Sequence, residues 1–558
     1  MEYKNDPVNM EIMWKRVISI AEECWIAIWR TSFSVVVGEA LDYGCAILDP
    51  KGRVLAHPSK SMPAFNFALP NCAKGVLSEF PIDELKPGDV LTTNEPWLNA
   101  GHLFDLAVLT PVFNKEKNVI AIMASCAHVA DIGGTRARHT TREIFDEGLF
   151  IPPLKLFEKG KVNDLLIKII ENNVRMPNMV MGDIHAMVSA NQMGADRIIA
   201  FMDEYNLNTL EDLTSEVQER TEKIMRNEIS AIPDGNYETT QWCDGVEEPF
   251  CFKVQVQING DMLAVSFFDV PDQLNYGGTN ITYSILAADV VYILKCILAP
   301  NVPGNDGDFR PITINAKKGS VFNCEIPAAV NQRTRSLWNV PPSIMKALAE
   351  IIPEKIQAPT GYPVSFKTYG VTDNGEKFND HMFQGGGQGA GSFCDGQSTL
   401  LFPTSAGNVS VEMFEMRTGF LVMEKEFIPD SSGAGKFRGA PGQRVTIRRR
   451  PGEKKGNYQI GVWPASLKYE NSGLFGGKAA NRMKLYTQSI DKKNKKNCLD
   501  GLFVNLDDQM CISLELPGGG GFGNPKDRDI SAIKEDIKDE ILTAKGAEKH
   551  YFFKRKKN

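Results

Sequence analysis

Two apolar, strand-like runs separated by five polar residues place the strongest constraint on this chain. Residues 106–113 (LAVLTPVF) and 119–127 (VIAIMASCA) are dense in apolar and β-branched side chains. Between them, Asn114-Lys115-Glu116-Lys117-Asn118 has the length and polarity of a hairpin loop. A turn centred near Glu116 folds position 128 back to lie roughly opposite 104. His102 and Asp105 form one H-x-x-D at the open end, and His128 and Asp131 form a second. Folding back brings both groups to the same end of one antiparallel pair, where they can converge on one metal ion. Imidazole with carboxylate suits Zn²⁺, Mn²⁺ or Fe²⁺ rather than Mg²⁺ or Ca²⁺. The competing reading is that both histidines cap strands and bond to nearby carboxylates. Asp42 opens another strand and is either a further carboxylate or a turn residue. Glu95, before Pro96 in a loop near His102, is either a base or ligand at the site or a solvated loop carboxylate.

The rest of the chain reads as α+β. Residues 9–31 form an amphipathic helix, 43–48 and 53–56 two strands joined by a Pro-Gly turn, and 61–80 a helix after Pro63. Residues 161–202 and 208–232 are mostly helical in pattern. From 236 strands and turns take over at 251–258 and 262–270, followed by helices at 281–298 and 340–351. Glycine-rich turns and short strands dominate from about 360 to 525, and 528–558 reads as a charged helix. The expected division is a metal-site domain at 1–232, a middle α+β domain at 233–345, a β-rich domain at 346–528 and a charged tail at 529–558. Without a regular βαβ rhythm, this is a multidomain α+β chain with a mixed N-terminal part and a β-rich, Gly-rich C-terminal half.

Composition narrows the functional classes. The 558 residues carry 62 basic and 69 acidic side chains, a net charge of −7, which argues against a general nucleic-acid binder. No apolar run reaches the ~18 residues of a membrane span, and the N-terminus lacks a signal peptide's apolar core. Eleven cysteines without a CxxC suit free thiols, so a cytoplasmic protein is expected.

Several motifs carry less than they suggest. Gly433-Ala434-Gly435-Lys436-Phe437 looks like a phosphate loop, but it lacks Ser or Thr after the lysine, and Asp430 stands where the first glycine belongs. Gly518-Gly519-Gly520-Gly521-Phe522-Gly523 satisfies GxGxxG, but Asn524-Pro525 follows it instead of a helix. The chain therefore shows no convincing ATP site of its own. Gly385 to Gly391 reads as a tight backbone crossing, and Lys554 to Lys557 as a solvated tail. Gly133-Gly134 with Arg136, Arg138 and Arg142 is either an anion-binding loop or a flexible basic one.

Taken together, several blocks resemble the hydantoinase B/oxoprolinase family. They are Asn94-Glu95-Pro96 with Gly101-His102-Leu103-Phe104-Asp105, Ala127-His128-Val129-Ala130-Asp131-Ile132-Gly133-Gly134, and Arg142 through Pro153. Asn305 through Pro311, Pro429 through Gly439 and Pro517 through Pro525 follow in family order. The resemblance implies a B-type subunit working with an A-type, actin-like ATPase subunit in a hetero-oligomer. That partner would use ATP to phosphorylate a carbonyl oxygen of a small-molecule substrate. The phosphorylated intermediate would then react at a metal site in this chain. By position, the family's metal ligands fall on Asp42, His102, Asp105 and His128. Glu95 and Asp131, from their places beside the ligands, are the expected catalytic carboxylates, and Arg136, Arg138 or Arg142, from their charge, the expected phosphate holders. The chain departs from the family pattern at Glu95, Asn99-Ala100, Phe104 and Thr135 to His139, which spares the ligands and alters the pocket. The expected activity is hydrolysis of a cyclic amide, such as a hydantoin, lactam or 5-oxoproline-like ring. A ketone carboxylase subunit and a non-catalytic scaffold for the ATPase are the alternatives.

Overall fold

The computed structural model describes residues 6–452, 456–498 and 501–554. The chain divides into two compact units, Met1–Asn236 with Val256–Arg333, and Tyr237–Gln255 with Thr334–Asn558. The architecture is mixed α/β and multidomain, as the sequence pattern leads one to expect.

The first unit is built on a seven-stranded sheet. Its strands are β1 (Tyr43–Leu48), β2 (Val54–Ala56), β3 (Val90–Thr93), β4 (Asp105–Phe113), β5 (Val119–His128), β6 (Leu154–Glu158) and β7 (Lys161–Val162). They run in the order β2-β1-β5-β4-β3-β6-β7. Its longer helices are α1 (Pro7–Thr31), α2 (Pro63–Glu79), α3 (Asp164–Asn173), α4 (Pro177–Tyr205), α5 (Glu211–Ser230) and α6 (Tyr283–Leu298). Asp6 caps α1, accepting from the Val8 and Asn9 N–H groups, with Pro7 in the first turn. Successive side chains of a strand point to opposite faces. Tyr43 donates its hydroxyl to Trp25 O in α1 at 2.8 Å, whereas a Cβ on Gly44 would meet Phe65 and Asn66 of α2. The two helices therefore cover opposite faces, and β1, β4 and β5 are buried almost end to end. Gly194 lets α4 close onto the α1 face, since a Cβ there would lie 2.4 Å from both Cys24 Sγ and Met123 Cε.

The predicted hairpin is present as β4 and β5, with a register that loop length alone does not give. Next to the turn, Phe113 faces Val119, consistent with a centre at residue 116. A bulge then intervenes, Val112 faces Ala121, and the ladder continues to Asp105 opposite His128. Position 128 is thus paired with 105 and not with 104. Pro111 is tolerated in β4 because β3 pairs only with Ala107 to Leu109.

The second unit contains a four-stranded sheet built on Val364–Val371 and Lys377–Gln384, and a five-stranded sheet built on Phe420–Phe427 and Gln443–Arg449. Here the glycine-rich segments cross as bare backbone. Gly433 N–H donates to Gly519 O at 2.9 Å, Gly387 N–H donates to Pro517 O at 3.1 Å, and Phe437 and Phe522 exchange backbone bonds. A Cβ on Gly389 would lie 1.7 Å from Ala358 O. Both nucleotide-loop look-alikes are spent in this crossing, and no helix starts at Lys436. Residues 528–554 form two helices, Ile530–Lys538 and Ala544–Tyr551, where the sequence suggests one. Glu540 turns left-handed with φ 59°, and Thr543 caps the second helix. Of the tail expected at Lys554 to Lys557, residues 555–557 lie outside the described residues. Among those described, no helix is long and apolar enough to cross a membrane.

Candidate metal centre

Asp105 begins β4 and His128 ends β5, and the two are direct cross-strand partners. Opposed residues of an antiparallel pair share a face, which puts the carboxylate beside the imidazole. His128 Nδ1 lies 3.7 Å from Asp105 Oδ1. His102 enters from the turn before β4, closed by Asp105 N–H donating to His102 O at 3.0 Å. Its Nδ1 sits 2.7 Å from Asp105 Oδ2. Ligand atoms of His102, Asp105 and His128 lie within 4.8 Å of one another. Asp42 stands at the entry to β1, where its carbonyl accepts from His128 N–H at 3.0 Å and its Oδ2 is 3.7 Å from His128 Nδ1.

Burial turns this cluster into an electrostatic problem. Asp105 is 0% exposed, His102 5%, His128 6% and Asp42 8%. Arg333, itself buried, donates from Nη2 to Asp105 Oδ2 at 3.0 Å and from Nε to Ala100 O at 2.7 Å. Two carboxylates and two imidazoles buried side by side are a donor set that fits a divalent transition metal.

The surrounding loops hold these side chains in place. Asn99 Nδ2 donates to Asp105 O at 2.8 Å, and Asn94 Nδ2 to Leu103 O at 2.8 Å. Gly101 adopts φ +95°, and a Cβ there would come within 2.9 Å of Arg333 Nε. Phe104 stacks on His128 with centroids 5.0 Å apart, and the Arg138 guanidinium lies 4.3 Å above the same ring.

The other sequence candidates fall differently. Asp131 stands apart from the histidine cluster: Arg175 binds its Oδ1 through Nη1 at 2.8 Å, and the Arg175 backbone N–H donates to Oδ2. Only the first H-x-x-D therefore contributes both of its residues. Glu95 is half-buried, and burial, aided by Glu79, holds its carboxyl above the usual range. Of the three arginines, Arg138 is buried next to the site, Arg136 is half-buried and Arg142 is exposed. Sequence reasoning missed Arg333, Arg175, Asn99 and two buried acids. Burial pushes Glu147 up to about 8 against the pull of Val330 and Asn331 N–H and Arg138. It likewise pushes Asp289 up to about 8, opposed by Arg333. No local pattern marks Arg333 or Arg175, because each reaches its carboxylate from a distant part of the chain, whereas Asn99 lies close to Asp105 and carries no signature of its own.

Fold and site together define a mixed α/β protein whose central hairpin carries a buried His–Asp cluster suited to a metal ion. The chain belongs to the hydantoinase B/oxoprolinase family, matching it over residues 6–525. It is similar to caprolactamase subunit beta of Pseudomonas jessenii, with 24% identity covering 98% of this chain and 96% of that one. The solved ATP-dependent caprolactamase from that organism superposes with a TM-score of 0.89 at 23% identity, over 99% and 96% of the two chains. A nucleotide-free acetone carboxylase structure has the same fold, with a TM-score of 0.88 at 15% identity over 98% and 80%. The match to 5-oxoprolinase of Saccharomyces cerevisiae is 27% identical and spans 94% of this chain but 42% of that protein.

Proposed function

We propose that this chain is the metal-bearing B-type subunit of an ATP-dependent cyclic-amide hydrolase, acting on an intermediate phosphorylated by an A-type, actin-like ATPase subunit. The observation that carries this reading is the convergence of His102, Asp105 and His128 within 4.8 Å in a buried enclosure. A scaffold would have no use for such a set. The look-alike nucleotide loops are consumed in backbone crossings, which agrees with ATP being handled by a partner. Similarity to a caprolactamase and a 5-oxoprolinase favours a ring amide as substrate.

His102, Asp105 and His128 would hold the metal, with Asp42 beside His128 as a fourth donor. When bound, a divalent transition metal polarises a substrate oxygen and acidifies a water. The chain's own residues supply the setting. Arg333 grips Asp105 Oδ2, leaving Oδ1 on the His128 side. Phe104 shields the His128 ring from water. Arg138, buried over Phe104, is the arginine best placed to meet a phosphoryl group, since guanidinium binds phosphate bidentately. Glu95 and Asp131 receive no part in the chemistry, the latter because Arg175 occupies its carboxylate.

Purified chain should contain a divalent transition metal, and reconstitution with the ATPase subunit should give lactam- or hydantoin-dependent ATP turnover. Absence of metal, with His102→Ala and His128→Ala variants indistinguishable from wild type, would leave only a scaffold. The altered residues around Glu95, Asn99 and Phe104 keep a second chemistry in view. Bicarbonate-dependent ATP turnover with a ketone would establish a carboxylase and exclude the hydrolase.

A further inference from the structure

Next to the metal cluster, Gly277-Gly278-Thr279 passes along Asn331-Gln332-Arg333. Gln332 N–H donates to Gly278 O at 2.8 Å, and Gly277 N–H donates to Thr141 O at 2.7 Å. The approach is close: Gly278 has φ +64°, and a Cβ there would lie 2.5 Å from Asn331 Oδ1. At this crossing Gln332 is 4% exposed, Asn331 5% and Thr279 0%. Yet Gln332 Oε1 and Nε2, Asn331 Oδ1 and Thr279 Oγ1 make no hydrogen bond with the described residues. Buried polar atoms are almost always satisfied, so this concentration of unspent donors and acceptors calls for an explanation. The segment is also anchored at both ends. Glu147 Oε1 accepts from Val330 and Asn331 N–H at 2.8 and 2.9 Å, while Arg333 is bound to Asp105 and Ala100.

We propose that Gln332 is a specificity-determining residue whose carboxamide pairs with the N–H and C=O edge of the ring amide as it docks, before its carbonyl oxygen is phosphorylated, Nε2 donating to the carbonyl and Oε1 accepting from the N–H. This inference rests on the cyclic-amide reading above. Ring closure forces an amide into the cis form, so its N–H and C=O project from one edge. A primary carboxamide offers the complementary pair and completes two parallel hydrogen bonds. Lactam, hydantoin and 5-oxoproline-like rings all present this edge. A ring ketone presents only the acceptor and leaves Oε1 unmet in a buried site. Asn331 Oδ1 and Thr279 Oγ1 extend the polar lining for a second ring heteroatom.

The test compares the metal-loaded full chain with its Gln332→Met variant, using a five-membered lactam and the ring ketone of the same size. Calorimetric titration should give a lactam preference in the wild type that falls about 10- to 100-fold in the variant, the scale of one unmet buried polar partner. Metal content should be unchanged, and the unliganded variant should unfold at the same or a higher temperature, because an unspent carboxamide does not support the fold. A variant that unfolds several degrees lower, or that keeps the lactam preference, overturns the proposal. If a lactam drives ATP turnover in the reconstituted complex and the preference survives Gln332→Met, this inference fails alone. If no cyclic amide drives turnover, the hydrolase reading fails and takes this inference with it.

Discussion

The contact between Arg333 and Asp105 gives the sharpest test of how the site is held. The two charges approach to 3.0 Å, and both side chains are buried. At an effective dielectric of about 20, Coulomb's law gives a gross attraction of about 5 kcal/mol at that separation. Removing one partner strands the other in the interior, which typically costs about 3–5 kcal/mol. Arg333→Met and Asp105→Asn should therefore each destabilise the metal-free chain by roughly that amount, Arg333→Met also leaving Ala100 O unmet. The double variant should be much less than additive, because removing both members of a buried pair is far less costly than removing one. We expect a coupling of at least about 2 kcal/mol from urea unfolding of the four proteins in excess chelator, which keeps metal binding out of the comparison. Additivity within about 0.5 kcal/mol would show that the pair does not hold Asp105 and that the electrostatic account of the site is wrong.

Three further perturbations follow from the geometry. His102→Ala and His128→Ala should each weaken binding of a divalent transition metal by more than about 100-fold, beyond what losing an outer partner costs, as read by competition with a chromogenic chelator. Asp289 carries a pKa of about 8 in the folded chain against an ordinary 3.8. Between those values the folded chain keeps a proton that the unfolded chain has released, so stability falls as pH rises, by up to about 1.4 kcal/mol per pH unit. Asp289→Asn should flatten that slope, and an unchanged slope would mean that Asp289 is already ionised. Gly101→Ala forces a Cβ to within 2.7 Å of Ile285 Cγ2 at φ +95°. It should cost about 1–3 kcal/mol and weaken metal binding. Gly160→Ala, at φ +78° with no atom within 4 Å, should show only the smaller backbone penalty.

What could be read from the sequence was what lies close along it. The hairpin, the helices at 7–31 and 283–298 and the strand at 43–48 carry their own apolar periodicity, and the structure places them within a few residues of expectation. His102, Asp105 and His128 could be grouped because one short loop brings them together. Arg333 could not, since its contact with Asp105 closes across more than two hundred residues and depends on Gly101 having no side chain. Asp131 shows the opposite failure. Its spacing repeats that of Asp105, but the chain turns at Gly133-Gly134 and delivers the carboxylate to Arg175. The tail read as one helix because its charge pattern continues through Glu540, whose left-handed backbone periodicity cannot reveal.

The bulge between Val112 and Phe113 bears on how such a chain can evolve. It adds Ile120 to one strand, so the ladder beyond it is offset by one residue all the way to the open end. Flattening the bulge without losing a residue, so that Ile120 paired with Val112, would slide the ladder by one and bring Phe104 opposite His128 in place of Asp105. Because facing residues alternate between the two sides of a sheet, the same slip would turn every following side chain of β5 over relative to its partners. Metal chemistry at one end of the hairpin thus depends on one residue being held out of the ladder near the other. Length changes should accumulate in the exposed turn at 114–118, where they leave the pairing beyond the bulge as it is.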